Sequence, residues 1–164
     1  MKIKKAILKD LPVIVKLWVE FMKDHDKIVL KRNKKLKPYT DKINMKSAGG
    51  KYRKFVRESI KSKKGAVFIA EVDGVAVGFT LVLIKDEISV FKIKKLGHVT
   101  DLFVKEEFRG RKISSGLMSE ARKWLKSKGM KYMSIGLYFD NRNAHSVYKK
   151  WGFMDFKLEM RRKV

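Results

Sequence analysis

The chain contains no cysteine. Disulfides, thiolate metal sites and a cysteine nucleophile are therefore excluded. Gln is also absent, and Asn occurs only four times, while Lys, Ile and Glu are common. Amides and thiols are heat-labile, so this balance points to a hot-living source or to a Lys-biased genome. No apolar run approaches the roughly 20 residues of a membrane-spanning helix. The opening MKIKKAILKD lacks the long apolar stretch of a signal peptide. The expectation is a cytoplasmic protein with no membrane partner. Neither G-x-x-x-x-G-K-[ST] nor G-x-G-x-x-G occurs, which removes the two common glycine-rich nucleotide loops. The three His are scattered, with no metal-ligand spacing, and no metal site is expected.

What is present describes a folded domain. The chain has 164 residues, of which 45% are hydrophobic, including ten Phe and three Trp. That is enough to bury a core, and it suits one domain spanning 1–164. The formal charge is +24 at pH 7. Such an excess attracts polyanions, whether nucleic acid, an acidic protein or a phosphorylated cofactor, although a Lys-rich solvated surface has the same composition.

Periodicity sets out the elements. Met1 to Ala6 reads as an edge strand. Asp10 stands at an N-cap position with Pro12 in the first turn, and Ile14, Leu17, Trp18, Phe21 and Met22 form the apolar stripe of a helix. Lys27 to Gly50 is Lys-dense and weakly periodic, and reads as a basic loop or irregular helix closing on Ala48-Gly49-Gly50. Lys51 to Lys61 predicts a second helix, with Tyr52, Phe55, Val56 and Ile60 on one face. Asp73-Gly74 joins the β-rich runs Ala66 to Val72 and Val75 to Ile84 into a hairpin. A strand follows within Phe91 to Val104, then a helix from Ser114 to Lys128 stopped by Gly129. Tyr132 to Tyr138 predicts a strand, Asn143 to Trp151 a short helix, and Phe153 to Met160 a last strand or strand pair. The order β-α-α-β-β-β-α-β-α-β, with a strand-helix-strand crossover in its second half, predicts a mixed sheet with helices on both faces.

Two stretches carry chemistry. In His98 to Gly116 a strand ends, a charged loop follows and a helix opens. Arg109-Gly110-Arg111-Lys112 lies just before that helix, where free N–H groups and the helix dipole favour an anion such as a pyrophosphate. The same residues also suit a plain basic turn. In Asp140 to Phe153 a strand joins a short helix that ends in a Gly turn, and Tyr148, taken alone, reads as a core tyrosine on an apolar stripe.

Taken together, the two stretches resemble the GNAT superfamily of N-acetyltransferases. The family's pyrophosphate loop, [QR]-x-x-G-x-[GA], follows a strand of the type D-L-F-V. Here Asp101-Leu102-Phe103-Val104 occupies the strand and Arg109-Gly110-Arg111-Lys112-Ile113-Ser114 the loop. The later N-x-x-A-x-x-x-Y-x-x-x-G-F is matched by Asn141, Ala144, Tyr148, Gly152 and Phe153. Lys112 and Ser114 depart from the small residues usual in the loop. The local pattern is nearest the diamine acetyltransferase branch, which has an acidic residue where this chain has Thr100.

The resemblance implies an α/β (α+β) domain with a mixed, mostly antiparallel sheet of six to seven strands. It implies acetyl-CoA as acetyl donor, no metal, direct transfer to an amine and a homodimer. The pantetheine arm would lie along Leu102, Phe103 and Val104, with backbone N–H near Phe103 and Val104 facing the developing oxyanion. The pyrophosphate would sit on the loop from Arg109 through Gly110, Arg111, Lys112, Ile113 and Ser114 to Ser115. Asn141 would hold the arm from the other side, and Tyr148 would protonate the leaving thiolate. For the general base, Asp101, His98 and an ordered water chain all remain open. His25, between Asp24 and Asp26, is a weaker candidate. The acceptor is expected to be a protein N-terminus or lysine first, and a small-molecule amine second. The basic segment from Lys27 to Lys51 suggests an acidic acceptor or one carried on nucleic acid. The rival reading is a nucleic-acid-associated binding protein of the same fold with little catalysis.

Overall fold

A computed structural model of the chain describes residues 1–32, 34–40 and 45–162. Strand β1 (Lys2–Lys5) leads through a single 3-10 turn into helix α1 (Leu11–Arg32), a one-turn helix α2 (Lys37–Thr40) and helix α3 (Met45–Lys61). Strands β2 (Gly65–Val72), β3 (Val75–Asp86) and β4 (Lys95–Val104) follow, then helix α4 (Ile113–Ser127), strand β5 (Met133–Ile135) and helix α5 (Arg142–Lys150). The five strands form one sheet in chain order. Every pairing is antiparallel except β4 with β5, which is parallel.

The sheet has a helical layer on each face. Alternation on β2 sends Val67 and Ile69 to one side and Ala66, Phe68 and Ala70 to the other. On the first side Ile14, Leu17, Trp18 and Phe21 of α1 and Tyr52 and Val56 of α3 cover Phe79, Leu81 and Phe103. On the second, Leu117, Met118, Ala121, Trp124 and Leu125 of α4 cover Val82, Val99 and Val104. The hairpin turns at Asp73 and Gly74 with φ of 50° and 78°, as a primed turn demands. Gly129 stops α4 with φ of 75°.

Four expectations are corrected. Among the described residues the sheet has five strands, not six to seven. Phe153 to Met160 makes no ladder, and Phe156 is 99% exposed. Its charged residues are held locally instead: Asp155 by His145 and Lys149 of α5, and Glu159 by Arg161. Of Tyr132 to Tyr138, only Met133–Ile135 pairs. The basic stretch after Lys27 is more helical than its composition suggests, because α1 runs on to Arg32 with Val29 buried. Ala48-Gly49-Gly50 lies inside α3 rather than ending a loop, and Gly49 is buried against Val15, whose Cγ1 stands 3.7 Å from where a Cβ would be. The rest of that stretch, 33 and 41–44, lies outside the described residues.

Candidate active site

The site is built on the far half of β4. Gly97, His98 and Val99 pair with β5, but β5 stops at Ile135, so Thr100 to Val104 is paired on one edge only. A β-bulge at Thr100 marks the change, since Leu81 faces Asp101 while Val82 faces Val99. Lys105 N–H bonds the carbonyl of Val77, flanking the Gly78–Val104 pair. Val104 is therefore a non-hydrogen-bonded position, and by alternation so is Leu102; both turn their backbone groups to the open edge. The Phe103 backbone faces β3 instead. Val104 and Leu102, rather than Phe103, are thus the donors on the open edge. The β3 partner sits so close that a Cβ on Gly78 would lie 2.6 Å from the Phe103 carbonyl oxygen.

Beyond Val104 the chain makes a 3-10 turn, Glu106–Phe108, and enters α4 through Arg109 to Lys112. No side chain caps α4, so the first-turn N–H groups around Ile113, Ser114 and Ser115 face outward unsatisfied by a cap. Gly110 has φ of 78°, and a Cβ placed on it would meet nothing within 4 Å. Lys112 has φ of 59°. This explains why the motif usually has a small residue there: the position is left-handed, where glycine alone is free of strain, and Lys112 carries that strain. Ser114 lies inside the helix and needs no special backbone. Arg111 stacks over Phe108 at 5.2 Å. Arg109, half exposed, folds back on the strand, its Nε donating to the Val104 carbonyl at 3.1 Å and its guanidinium paired with Asp24 of α1. Open edge, loop and uncapped helix follow one another along the chain from Leu102 to Ser115.

Asp101 lies on the opposite side of β4 from Leu102. It is 7% exposed, and its Oδ2 accepts a 2.9 Å hydrogen bond from the Tyr52 hydroxyl of α3. Thr80 Oγ1 bonds the Asp101 carbonyl oxygen at 2.8 Å and fixes the backbone there. Burial pushes the Asp101 carboxyl up to about 6, and the Tyr52 hydrogen bond works against that rise. Tyr52 itself is held well above the ordinary phenol value, by burial first and by the neighbouring carboxylate second. Its ring stacks on Trp18 at 4.3 Å between centroids. Sequence reasoning missed Tyr52. The available signal was one phenol on the otherwise apolar stripe of Phe55, Val56 and Ile60.

Tyr148 and Asn141 belong to a separate group on α5. Asn141 is the N-cap, its Oδ1 accepting from Ala144 N–H at 3.1 Å. The Tyr148 ring packs on Trp151 and Phe153. Burial pushes its hydroxyl up to about 12. The partners of these two residues all come from α5 and the turn after it, whereas those of Asp101 come from α3 and β3. His98 sits below the split, its Nδ1 2.9 Å from Ser134 Oγ of β5, with burial and Lys85 holding its pKa down. His25 packs on Phe21 and edge-on against Tyr138, tying α1 to the chain beyond β5.

An open cleft of about 200 Å³ lies between α1 and the end of β4. Phe103 forms part of it, and four carboxylates line it, Glu20, Asp24, Glu106 and Glu107, against Lys23 and Lys27. The whole chain has only 17 acidic residues against 41 basic ones, so four acids gathered here are a local concentration that the composition hides, with Glu20 paired to Lys105 and Asp24 to Arg109.

The model of the acetyltransferase (GNAT) family matches residues 36–153. An uncharacterized N-acetyltransferase of Archaeoglobus fulgidus is 30% identical over 148 residues, 90% of this chain and 89% of the relative. An N-alpha-acetyltransferase of Sulfurisphaera tokodaii is 32% identical over 112 residues, 63% of this chain and 65% of the relative. A predicted acetyltransferase of Clostridium acetobutylicum, solved with acetyl-CoA, superimposes with a TM-score of 0.73 at 16% identity, covering 99% of this chain and 95% of the other. At that identity the likeness is one of fold.

Proposed function

The chain belongs to the acetyltransferase (GNAT) family, and from that membership we propose that it transfers the acetyl group of acetyl-CoA directly to a primary amine in a ternary complex. The observation that carries the reading is the unpaired edge of β4 at Leu102 and Val104, running straight into the uncapped N-terminus of α4. A fold relative carries acetyl-CoA, and the surface here has the donors such a molecule needs.

Acetyl-CoA supplies the thioester whose C–S bond breaks as the C–N bond to the amine forms. Leu102 and Val104 would hold the pantetheine arm as an added strand. Gly110 to Ser115, with Arg111 and Lys112, would hold the pyrophosphate. The Val104 N–H, aimed at the open edge, would stabilise negative charge on the carbonyl oxygen. Asp101 takes the proton that the amine nitrogen, already neutral, loses as the C–N bond forms. Tyr148 gives a proton to the departing sulfur, and solvent carries the proton from Asp101 back to Tyr148. A hydroxyl near 12 stays protonated at working pH and yields its proton only as strong negative charge develops beside it.

The acceptor in this reading is a protein N-terminus or lysine first and a small-molecule amine second. Glu106 and Glu107, which line the cleft beside the paired Glu20 and Asp24, support an acceptor amine that arrives as a cation and sheds its ammonium proton to solvent before it attacks. The reading takes the enzyme as a cytoplasmic homodimer. A second reading, binding to nucleic acid, is supported by the exposed face of α3, which carries Lys51, Arg53, Lys54, Arg57 and Lys61 against the single acid Glu58. The deciding experiment is a melting series with acetyl-CoA. A ligand that binds only the native state at 100 times its Kd adds about 2.7 kcal/mol, so the midpoint rises. An unchanged midpoint at millimolar acetyl-CoA removes the proposal.

A further inference from the structure

We propose that Tyr52 is a positioning residue for acetyl transfer: its hydroxyl, fixed by stacking of its ring on Trp18, orients the Asp101 carboxylate at the β4 bulge. The inference rests on the reading of Asp101 as proton acceptor and adds to it the group that aims that acceptor.

The geometry begins with the bulge. The extra residue at Thr100 resets the alternation of β4, so Val99 faces the α4 layer while Asp101 and Phe103 face the α1 and α3 layer. A carboxylate turned into an apolar layer costs free energy unless it is hydrogen-bonded. Tyr52 O–H supplies that bond at 2.9 Å. The phenol is not free to swing away, because its ring lies 4.3 Å from the Trp18 ring at an interplanar angle of 11°. Tyr52 also contacts Phe55 on its own helix. Three elements, α1, α3 and β4, thus meet through one stack and one hydrogen bond, next to the strand segment that lines both the acceptor cleft and the open edge.

The charge around Asp101 is simple. From α3 the facing group is Tyr52. From α1 it is Trp18 and Phe21, both uncharged, while the carboxylates Glu20 and Asp24 are paired with Lys105 and Arg109. From β3 it is Leu81, with Thr80 bonded to the backbone carbonyl. Along β4 the neighbours are Thr100 and Leu102. Tyr52 is therefore the polar side chain among the described residues that stabilises the ionised carboxylate. Tyr52 remains a donor throughout the working range, since its own ionisation is pushed far up. Removing the hydroxyl leaves the carboxylate buried and unaimed, and more alkaline conditions are needed to ionise it.

The test uses the full chain, with Tyr52→Phe, which keeps the ring for Trp18, and Asp101→Asn. The first readout needs no substrate. ¹³C-detected titration of the aspartate carboxyls in the free protein should show one group titrating near 6 in the wild type and about 1–2 pH units higher in Tyr52→Phe, the range a hydrogen bond to a charged group gives. The second readout is the pH profile of kcat/KM with acetyl-CoA and a peptide bearing one free α-amine. The acid limb should move up with the carboxyl, so Tyr52→Phe is roughly tenfold slow at pH 6 and regains most of the wild-type rate at pH 9. A carboxyl titration that does not move overturns the inference, and so does a moved carboxyl with an unmoved acid limb. The underlying reading fails separately, if Asp101→Asn keeps turnover within twofold. If Tyr52→Phe proves unfolded, Trp18→Leu, which leaves the hydroxyl but removes its platform, must shift both readouts in the same direction or the inference falls.

Discussion

Replacing Asp101 by Asn should make the protein more stable and less active at the same time. The carboxyl is raised from its ordinary value of 3.8 to about 6 by burial. At pH 7 it is nevertheless ionised, and holding that charge inside costs about 3 kcal/mol relative to the unfolded chain. The sign follows from proton counting. Between about pH 4 and 6 the folded state holds a proton that the unfolded state has already lost, so this residue's contribution to stability is fully present below pH 4 and is lost as pH rises through 6. Asn carries no charge, keeps an oxygen to accept from Tyr52, and pays none of that pH-dependent cost. Asp101→Asn should therefore gain up to about 3 kcal/mol at pH 7, which for a chain of this length is a melting point higher by roughly 6–12 °C. At pH 4 the gain should fall below about 1 kcal/mol. Turnover should drop about 10²–10⁴-fold if Asp101 takes the amine proton. Thermal melts of both proteins at pH 4 and 7, with turnover at pH 7.5, test all three points. A variant no more stable than wild type at pH 7, or a difference independent of pH, refutes the buried ionised carboxylate. A stable and fully active variant refutes its role as base.

Tyr148→Phe should lower kcat about 10²–10⁴-fold and leave the melting shift by acetyl-CoA in place; turnover within about twofold of wild type takes Tyr148 out of the mechanism. With a hydroxyl near 12, the wild-type profile of kcat should also lack a basic limb below about pH 10, where an unshifted phenol would titrate. Lys112→Gly should stabilise the free protein by about 1 kcal/mol, because φ of 59° strains any residue with a Cβ; a destabilised variant would show that the lysine side chain is needed where it stands. RNA or DNA affinity should fall steeply between 50 and 200 mM salt, and reversing Lys51, Lys54 and Arg57 to Glu should flatten that slope; equal slopes would move any such binding off α3.

The amphipathic stripes of α1, α3 and α4 and the primed turn at Asp73-Gly74 were legible in the sequence because each rests on local physics: side-chain period, a left-handed turn, a glycine stop. The loop from Arg109 to Ser115 was legible for the same reason, as charges placed next to a helix start. Phe153 to Met160 was misjudged, since alternation records a strand's capacity to pair and says nothing of whether an edge is offered to it. The extension of α1 past Lys27 was hidden because the lysines that blur the pattern lie on the solvent face, while buried Val29 continues the stripe. Tyr52 and Asp101 are 49 positions apart, and only the bulge at Thr100, which turns Asp101 to the α3 side, lets them meet. The gathering of four carboxylates in the cleft is likewise a product of packing, as Glu20 and Asp24 come from α1 and Glu106 and Glu107 from the turn after β4. Motif, helix and turn are written in neighbouring residues. Which carboxylate is buried, which backbone edge is left open and where the few acids of a basic chain gather depend on residues brought together from distant segments, and those were decided by the tertiary structure alone.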